Sequence, residues 1–264
     1  MPNEPTAEKE WYRFLTEGER IPRVGRHIFA YLPSSPRCKV CNSPFKSWGG
    51  FLMRWAAGRE QSKFNPRYCV ACERFEHPGG AEVPLTMLFA DVRGSTTLAE
   101  QMSALDFSRL INRFYTLATD VLVRSDALVD RLVGDEAVGL FFPGFAGPEH
   151  PHRAVLAARD LLKRTGHGDL DGPWLPVGIG VHTGIAYVGV VGGEEGYPKD
   201  FTALGDHVNV TARLASQAGP GEILISEATY AAAGLDLGDL ERRELALKGK
   251  REPTGAWVWR INPG

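Results

Sequence analysis

The order of apolar runs and breaks predicts an α+β fold, a ferredoxin-like βαββαβ sheet with helices on one face, preceded by a small metal-binding module. Three observations predict it. From Val83 onward, short apolar strands alternate with helical repeats in the order β-α-β-β-α-β, followed by extra strands. Leu128–Phe142 reads as a hairpin, two apolar runs around Gly134-Asp135-Glu136. All four cysteines lie before residue 73, in two C-x-x-C pairs, so the N-terminal region is a separate unit. The boundaries drawn are 1–80 for that unit and 81–264 for the sheet domain, with HPGG at 77–80 as a linker-like break.

The elements follow in chain order. VPLTMLFAD is a buried strand that ends on Asp91. Ser95 or Thr96 caps one long helix in which Leu98, Met102, Leu105, Leu110, Phe114, Leu117 and Val121 recur at helical spacing. ALVDRLV and EAVGLFF form the hairpin. HPHRAVLAARDLLKRTG is a second helix closed at Gly166. LPVGIGVHTG and IAYVGVVGG read as two strands, and GDHVNVTARLASQA as a helix stopped by Gly219-Pro220. EILIS, RELALKG and AWVWRI supply the remaining strands.

Composition bounds the function. With 264 residues, 43% hydrophobic and 23% charged, the chain is an ordinary globular protein, large enough for one large domain or two small ones. Residues 1–80 carry 13 Lys+Arg against 8 Asp+Glu, whereas 81–264 carry 17 against 24, so the two units face different partners. No apolar run approaches the roughly 18 residues needed to span a bilayer, and the polar start MPNEPTAEKE is no secretory signal. The default expectation is a cytoplasmic protein.

Four stretches carry chemistry. In LFADVRGST a strand delivers Asp91 next to the free amides of a helix start, which suit phosphate oxygens. In the split βαβ plan the hairpin lies beside that strand, so Asp91 and Asp135 converge; two carboxylates without a basic partner are suited to hard divalent cations. In FTALGDHVNVTARL, Asn209 and Arg213 are four apart and share a helix face, a fork and an amide suited to a phosphoryl group. In LKGKREP, Lys248 or Lys250 can reach a polyphosphate, or be a solvated surface lysine.

Together, LFADVRGST, RLVGDEAV, GDHVNVTARL and LKGKREP make the stretch from Val83 to Ile261 resemble the catalytic domain of class III nucleotidyl cyclases, the adenylate and guanylate cyclases. The resemblance implies that Asp91 and Asp135 bind two Mg²⁺ or Mn²⁺ ions, that Asn209 and Arg213 stabilise the transition state, and that Lys248 binds the terminal phosphates. It implies a head-to-tail homodimer in which one chain gives the aspartates and the other the Asn–Arg helix. Thr202 and Arg131 stand where the family places its base-recognition pair; Thr202 fits an adenylate cyclase acting on ATP, whereas adenylate cyclases usually have lysine in place of Arg131. The guanine-selecting glutamate is absent, and a pyrimidine nucleotide stays open. Gly134-Asp135-Glu136 is also similar to the turn of diguanylate cyclases, over three residues. The competing reading is a catalytically silent nucleotide-binding or zinc-dependent interaction module.

Cys38-x-x-Cys41 and Cys69-x-x-Cys72 offer four thiolates from two turns, the ligand set of one structural Zn²⁺; an iron centre or a redox dithiol stays open. Between them Trp48, Phe51, Leu52 and Trp55 are expected to pack around the module, which leaves no clear nucleic-acid or membrane partner. His182 is expected to be a satisfied structural histidine.

Overall fold

The structure, a computed structural model, describes residues 4–18, 28–29, 31–32, 36–62, 68–70, 72, 79–192, 199–246 and 253–261. Helix α1 (Glu4–Thr16) and helix α2 (Ser47–Ala57) precede the sheet domain. The domain then runs β1 (Gly79–Val92), α3 (Ser95–Gln101), α4 (Ala104–Arg124), β2 (Leu128–Val133), β3 (Glu136–Phe141), α5 (Pro143–Ala146), α6 (His150–Arg164) and β4 (Val177–Gly192). It continues through β5 (Lys199–Leu204), α7 (Asp206–Gln217), β6 (Glu222–Ser226), α8 (Glu227–Ala233), β7 (Glu241–Leu245) and β8 (Thr254–Arg260).

Among the described residues eight strands form one sheet in the order β2-β3-β1-β4-β6-β8-β7, with β5 on β4. The first four are the expected βαββαβ set, all antiparallel, with β1 between β3 and β4. Alternation along β1 explains the two cores. Leu88, Ala90 and Val92 face α4 and α6, the two helices of the split unit, through Phe114, Ala118, Leu161 and Leu162. Val83, Leu85, Met87 and Phe89 face the other way, onto Trp11, Phe14 and Leu15 of α1, the four cysteines, and Ala215 of α7. The N-terminal unit is thus welded to the sheet by a shared core.

Five features differ from the sequence reading. The long helix after Asp91 is two: Met102 is extended, and Ser103 starts a new helix by accepting from the Asp106 amide at 3.1 Å. Gly94, at φ +68, occupies the cap position given to Ser95 or Thr96. The two strands expected across 175–193 are one, because β4 pairs with β1 along the whole length from Val177 to Val190 and leaves no turn at Thr183-Gly184. β5 (Lys199–Leu204), which the sequence reading lacked, pairs with β4 before the helix that carries Asn209 begins. The break placed at 77–80 ends sooner, since β1 starts at Gly79.

One ion-pair network closes the far edge. The Glu222 carboxylate on β6 accepts from both terminal nitrogens of Arg243 on β7, each at 3.0 Å, from Arg260 Nε on β8 at 3.0 Å and from the Gly219 amide at 2.9 Å. The Arg243 hydrogen bonds lead in holding this carboxyl down at about 2. A depressed folded-state pKa contributes stability above the ordinary glutamate range and loses it as pH falls from about 4.5 towards 2. Because the arginines reach solvent, Glu222→Gln is expected to cost about 1–2 kcal/mol at pH 7, a few degrees in Tm. The variant should also show a flatter loss of stability than the native chain between pH 5 and pH 2, measured by thermal melts across that range.

Candidate active site and cysteine centre

The hairpin brings its carboxylates to the end of β1. Gly134 and Asp135 form a two-residue turn with φ +64 at Gly134, the place where a type II′ turn needs glycine. That explains Gly-Asp where Asp-Gly is commoner. The turn is pinned twice: Val92 N donates to Asp135 O at 3.1 Å, and Tyr115 Oη donates to Gly134 O at 2.9 Å. Asp91 lies directly opposite Glu136 across the β1–β3 ladder. Burial raises the Asp91 carboxyl above its ordinary range and Asp135 adds to the rise, while Arg93 pulls it back. Burial likewise raises Glu136, with Asp91 next in effect. Arg93 pairs with the Asp91 carboxylate, and the Ser95 hydroxyl donates to Asp135. Ser95 therefore serves Asp135 and not the helix cap.

Like charges set opposite each other in a ladder are destabilising. Here three carboxylates share one strand end, and two of them are raised by burial and mutual repulsion. Hard oxygen donors in that state suit divalent cations. Asn209 is exposed and Arg213 half-buried on α7, and the Asp91 and Asp135 carboxylates are engaged by Arg93 and Ser95. Arg93 Nη1 also donates to Ser216 O at 2.9 Å, which ties the Asp91 loop to the last turn of α7. Lys248 and Lys250 lie outside the described residues.

The structure does bring Arg131 and Thr202 together. A β-bulge between Val129 and Arg131 makes Asp130 and Arg131 oppose a single stretch of β3. Both then reach β5: Arg131 Nη2 donates to Thr202 Oγ1 at 3.0 Å, and Arg131 Nε donates to Asp130 Oδ2 at 3.0 Å. Thr202 Oγ1 donates to the same Asp130 oxygen at 2.9 Å. A carboxylate only accepts, so the hydroxyl proton is committed to it, and Thr202 offers a ligand only lone pairs. The sequence offers Asp130 and Glu136 as acidic partners that could turn Arg131 away from a base; Asp130 is the partner observed, and it takes the Thr202 hydroxyl as well. Sequence reasoning read Ser95 only as a helix cap and missed Lys39 and Arg93.

Cys38, Cys41, Cys69 and Cys72 are all buried, and their sulfurs lie within 4.8 Å of one another. Cys41 and Cys69 Sγ are 3.7 Å apart, too far for a disulfide. A tetrahedron with bonds of 2.3 Å has edges of about 3.8 Å, so the spacing suits one ion. The Cys69 amide donates to Cys38 Sγ at 3.3 Å, and Arg59 Nη1 approaches Cys69 and Cys72 Sγ at 3.8 and 3.9 Å. Hydrogen bonds from Cys38, Cys41 and Cys72 favour the Cys69 thiolate, while the same sharing pushes the Cys72 thiol up.

The aromatic helix between the pairs does not pack as expected. Trp48, Phe51 and Trp55 are 71%, 60% and 80% exposed. The buried side of α2 is Gly49, Gly50 and Met53, and a Cβ at Gly50 would stand 2.4 Å from the Phe45 carbonyl carbon. Only glycine lets this helix approach so closely, and that turns the large rings outward. His182 is satisfied as expected, bonded to Ser226 Oγ at 2.8 Å and to His207 Nδ1 at 2.7 Å.

This sheet order and this hairpin define a nucleotidyl cyclase domain. The chain belongs to the family of the adenylate and guanylate cyclase catalytic domain, whose pattern matches residues 81–259. Members of the family bind a nucleotide substrate, use divalent metal ions and function as dimers.

Among solved structures, the guanylyl cyclase Cya2 is 29% identical with a TM-score of 0.59, over 70% of this chain and 95% of that one. The adenylyl cyclase CyaB from P. aeruginosa is 26% identical with a TM-score of 0.60, over 70% and 99%. Among curated proteins, the uncharacterized protein Rv1318c of Mycobacterium tuberculosis is 31% identical over 207 residues, 75% of this chain. The chain spans about a third of that relative's length, 34%. No described helix is long and apolar enough to cross a membrane.

Proposed function

We propose that the chain is a cytoplasmic adenylate cyclase that converts ATP to 3′,5′-cyclic AMP and pyrophosphate at the interface of a head-to-tail homodimer. The observation that carries the choice of ATP is the polarised Arg131–Thr202 pair. Among the described residues, Arg131 keeps free N–H donors beside a Thr202 oxygen that can only accept. An acceptor next to donors complements a base edge that presents an exocyclic N–H beside a ring nitrogen lone pair. Adenine has that edge. Cytosine shares it, which makes CTP the competitor to measure against.

In this reading Asp91 and Asp135 hold two Mg²⁺ or Mn²⁺ ions. When bound, such ions lower the pKa of the 3′-hydroxyl and carry charge on the triphosphate. Asn209 and Arg213 come from the other chain and face the α-phosphate, where the Arg213 fork meets developing negative charge. Lys248 or Lys250 takes the terminal phosphates. Exposed Ile185 and Leu204 beside the start of α7 support a dimer face there. One structural Zn²⁺ on the four cysteines completes the chain, since four thiolates leave no open position for catalysis. We draw the boundary between the cysteine unit and the catalytic domain after residue 80, two residues into β1.

The test is product analysis by mass spectrometry of the purified chain with Mn²⁺ and each of the four nucleoside triphosphates. Cyclic AMP and pyrophosphate from ATP should dominate. Arg131→Ala should lower ATP turnover by roughly one to two decades and blur the ranking, since an unpaired polar group in a base site costs about 1–3 kcal/mol. Arg131→Lys should keep ATP as the preferred substrate. A dominant CTP or UTP product that Arg131→Lys abolishes would make arginine a pyrimidine selector.

A further inference from the structure

We propose that Lys39, inside the first cysteine pair, is a positioning residue for nucleotide-base recognition. The proposal rests on the reading of Arg131 and Thr202 as the base-facing pair. Lys39 is buried, and Nζ makes three contacts: Phe201 O at 2.6 Å, Asp200 Oδ1 at 3.2 Å and Asp130 Oδ1 at 3.3 Å. An ammonium has three donors, so all three are used. Two partners sit on β5 next to Thr202, and the third sits on β2 next to Arg131. One cation therefore ties together the two strands that carry the two base-facing side chains.

The contact does more than fill space. A buried ion pair is costly, and an apolar pair of similar volume packs as well or better. What an apolar pair could not do is fix the Asp130 carboxylate. Lys39 takes Oδ1, which leaves Oδ2 to receive Arg131 and Thr202. The rotation of Asp130 thus decides which way the Thr202 hydroxyl points and which Arg131 nitrogens remain free.

Lys39 is itself held from the cysteine side. Cys38 N donates to Ser43 O at 2.9 Å and Asn42 N to Cys38 O at 3.0 Å, closing the turn between Cys38 and Cys41. The Phe201 ring, 6.0 Å from Nζ, lies in the same core as the four cysteines. The cysteine unit therefore has a defined task in the cyclase: its first turn presents the cation that sets the polarity of the base site.

The experiment uses the full chain with Mn²⁺. Calorimetry measures affinities for the four 3′-deoxynucleoside triphosphates, which lack the attacking hydroxyl, and for inorganic tripolyphosphate. Cyclisation of the ordinary triphosphates is followed in parallel. Lys39→Met should reduce the ratio between the best- and worst-bound nucleotide about tenfold or more, with tripolyphosphate affinity within about twofold of native and metal content unchanged. Lys39→Arg, which keeps a cation on Asp130, should retain most of the preference. If Lys39→Met does not fold, Lys39→Met with Asp130→Asn removes both buried charges and should lose the preference in the same way.

An unchanged ratio in Lys39→Met, or equal losses for nucleotides and tripolyphosphate, overturns the proposal. Selective binding by the native chain with no cyclic product would overturn the cyclase reading and leave the role of Lys39 standing. Equal binding of all four nucleotides by the native chain would overturn the base-recognition reading, and the role of Lys39 with it.

Discussion

Alanine at Asp91 or at Asp135 should remove cyclisation while leaving the sheet folded. Both carboxylates stand at the end of the β1–β3 ladder, where burial raises the Asp91 carboxyl and the neighbouring Asp135 adds to the rise. Charge stabilisation by a bound metal is worth several kcal/mol, so the loss should be about three decades in kcat or more. Stability should move the other way or hardly at all, because each substitution removes a repulsive neighbour and breaks only the Arg93 or Ser95 contact. The measurement is initial rate with saturating Mn²⁺ beside a thermal melt of the same preparation. Near-normal turnover in either variant would sink the metal assignment, and lost activity with a collapsed melt would point to structure instead.

Mixing two dead variants should restore activity. In the proposed dimer each site takes its aspartates from one chain and Arg213 from the other. A heterodimer of Asp91→Ala and Arg213→Ala chains then holds one site built only from native residues and one site lacking both groups. Random exchange makes half the dimers heterodimers, so about a quarter of native activity should return. If each site were built within one chain, every site in the mixture would lack one group and nothing would return. The assay is a mixing series at fixed total protein, with subunit exchange demonstrated independently by mass spectrometry of differently tagged chains. Exchange without recovery would count against the shared site.

The hairpin, the strand that ends on Asp91, the helix that carries Asn209 and Arg213, and both cysteine pairs were legible because each is a local pattern. Period-two alternation, a glycine at a turn and a C-x-x-C spacing act over fewer than about ten residues, and the chain has little choice in how it meets them. The split of α3 from α4 was not legible in the same way. Leu105 continues the apolar spacing, yet it is 60% exposed, and the Ser103 cap with its Asp106 bond outweighs the periodicity. The unbroken β4 was missed because Thr183-Gly184 has turn composition, while pairing with β1 on one side holds it extended.

The four signatures suffice to class the chain as a cyclase and to single out Asp91, Asp135, Arg131, Asn209, Arg213 and Lys248 as candidates, with Thr202 just ahead of the third signature. They are silent on what surrounds those side chains. Lys39 meets Asp130 across 91 residues and Phe201 across 162. The bulge at Asp130 turns two neighbouring side chains towards the same partner, against the alternation that a strand pattern implies. The close approach of Gly50 on α2 to the Phe45 backbone decides that the tryptophans of this helix face outward. Such features depend on distances between segments that share no local signal, and a hydrogen bond's geometry is set only when both of its ends are in place.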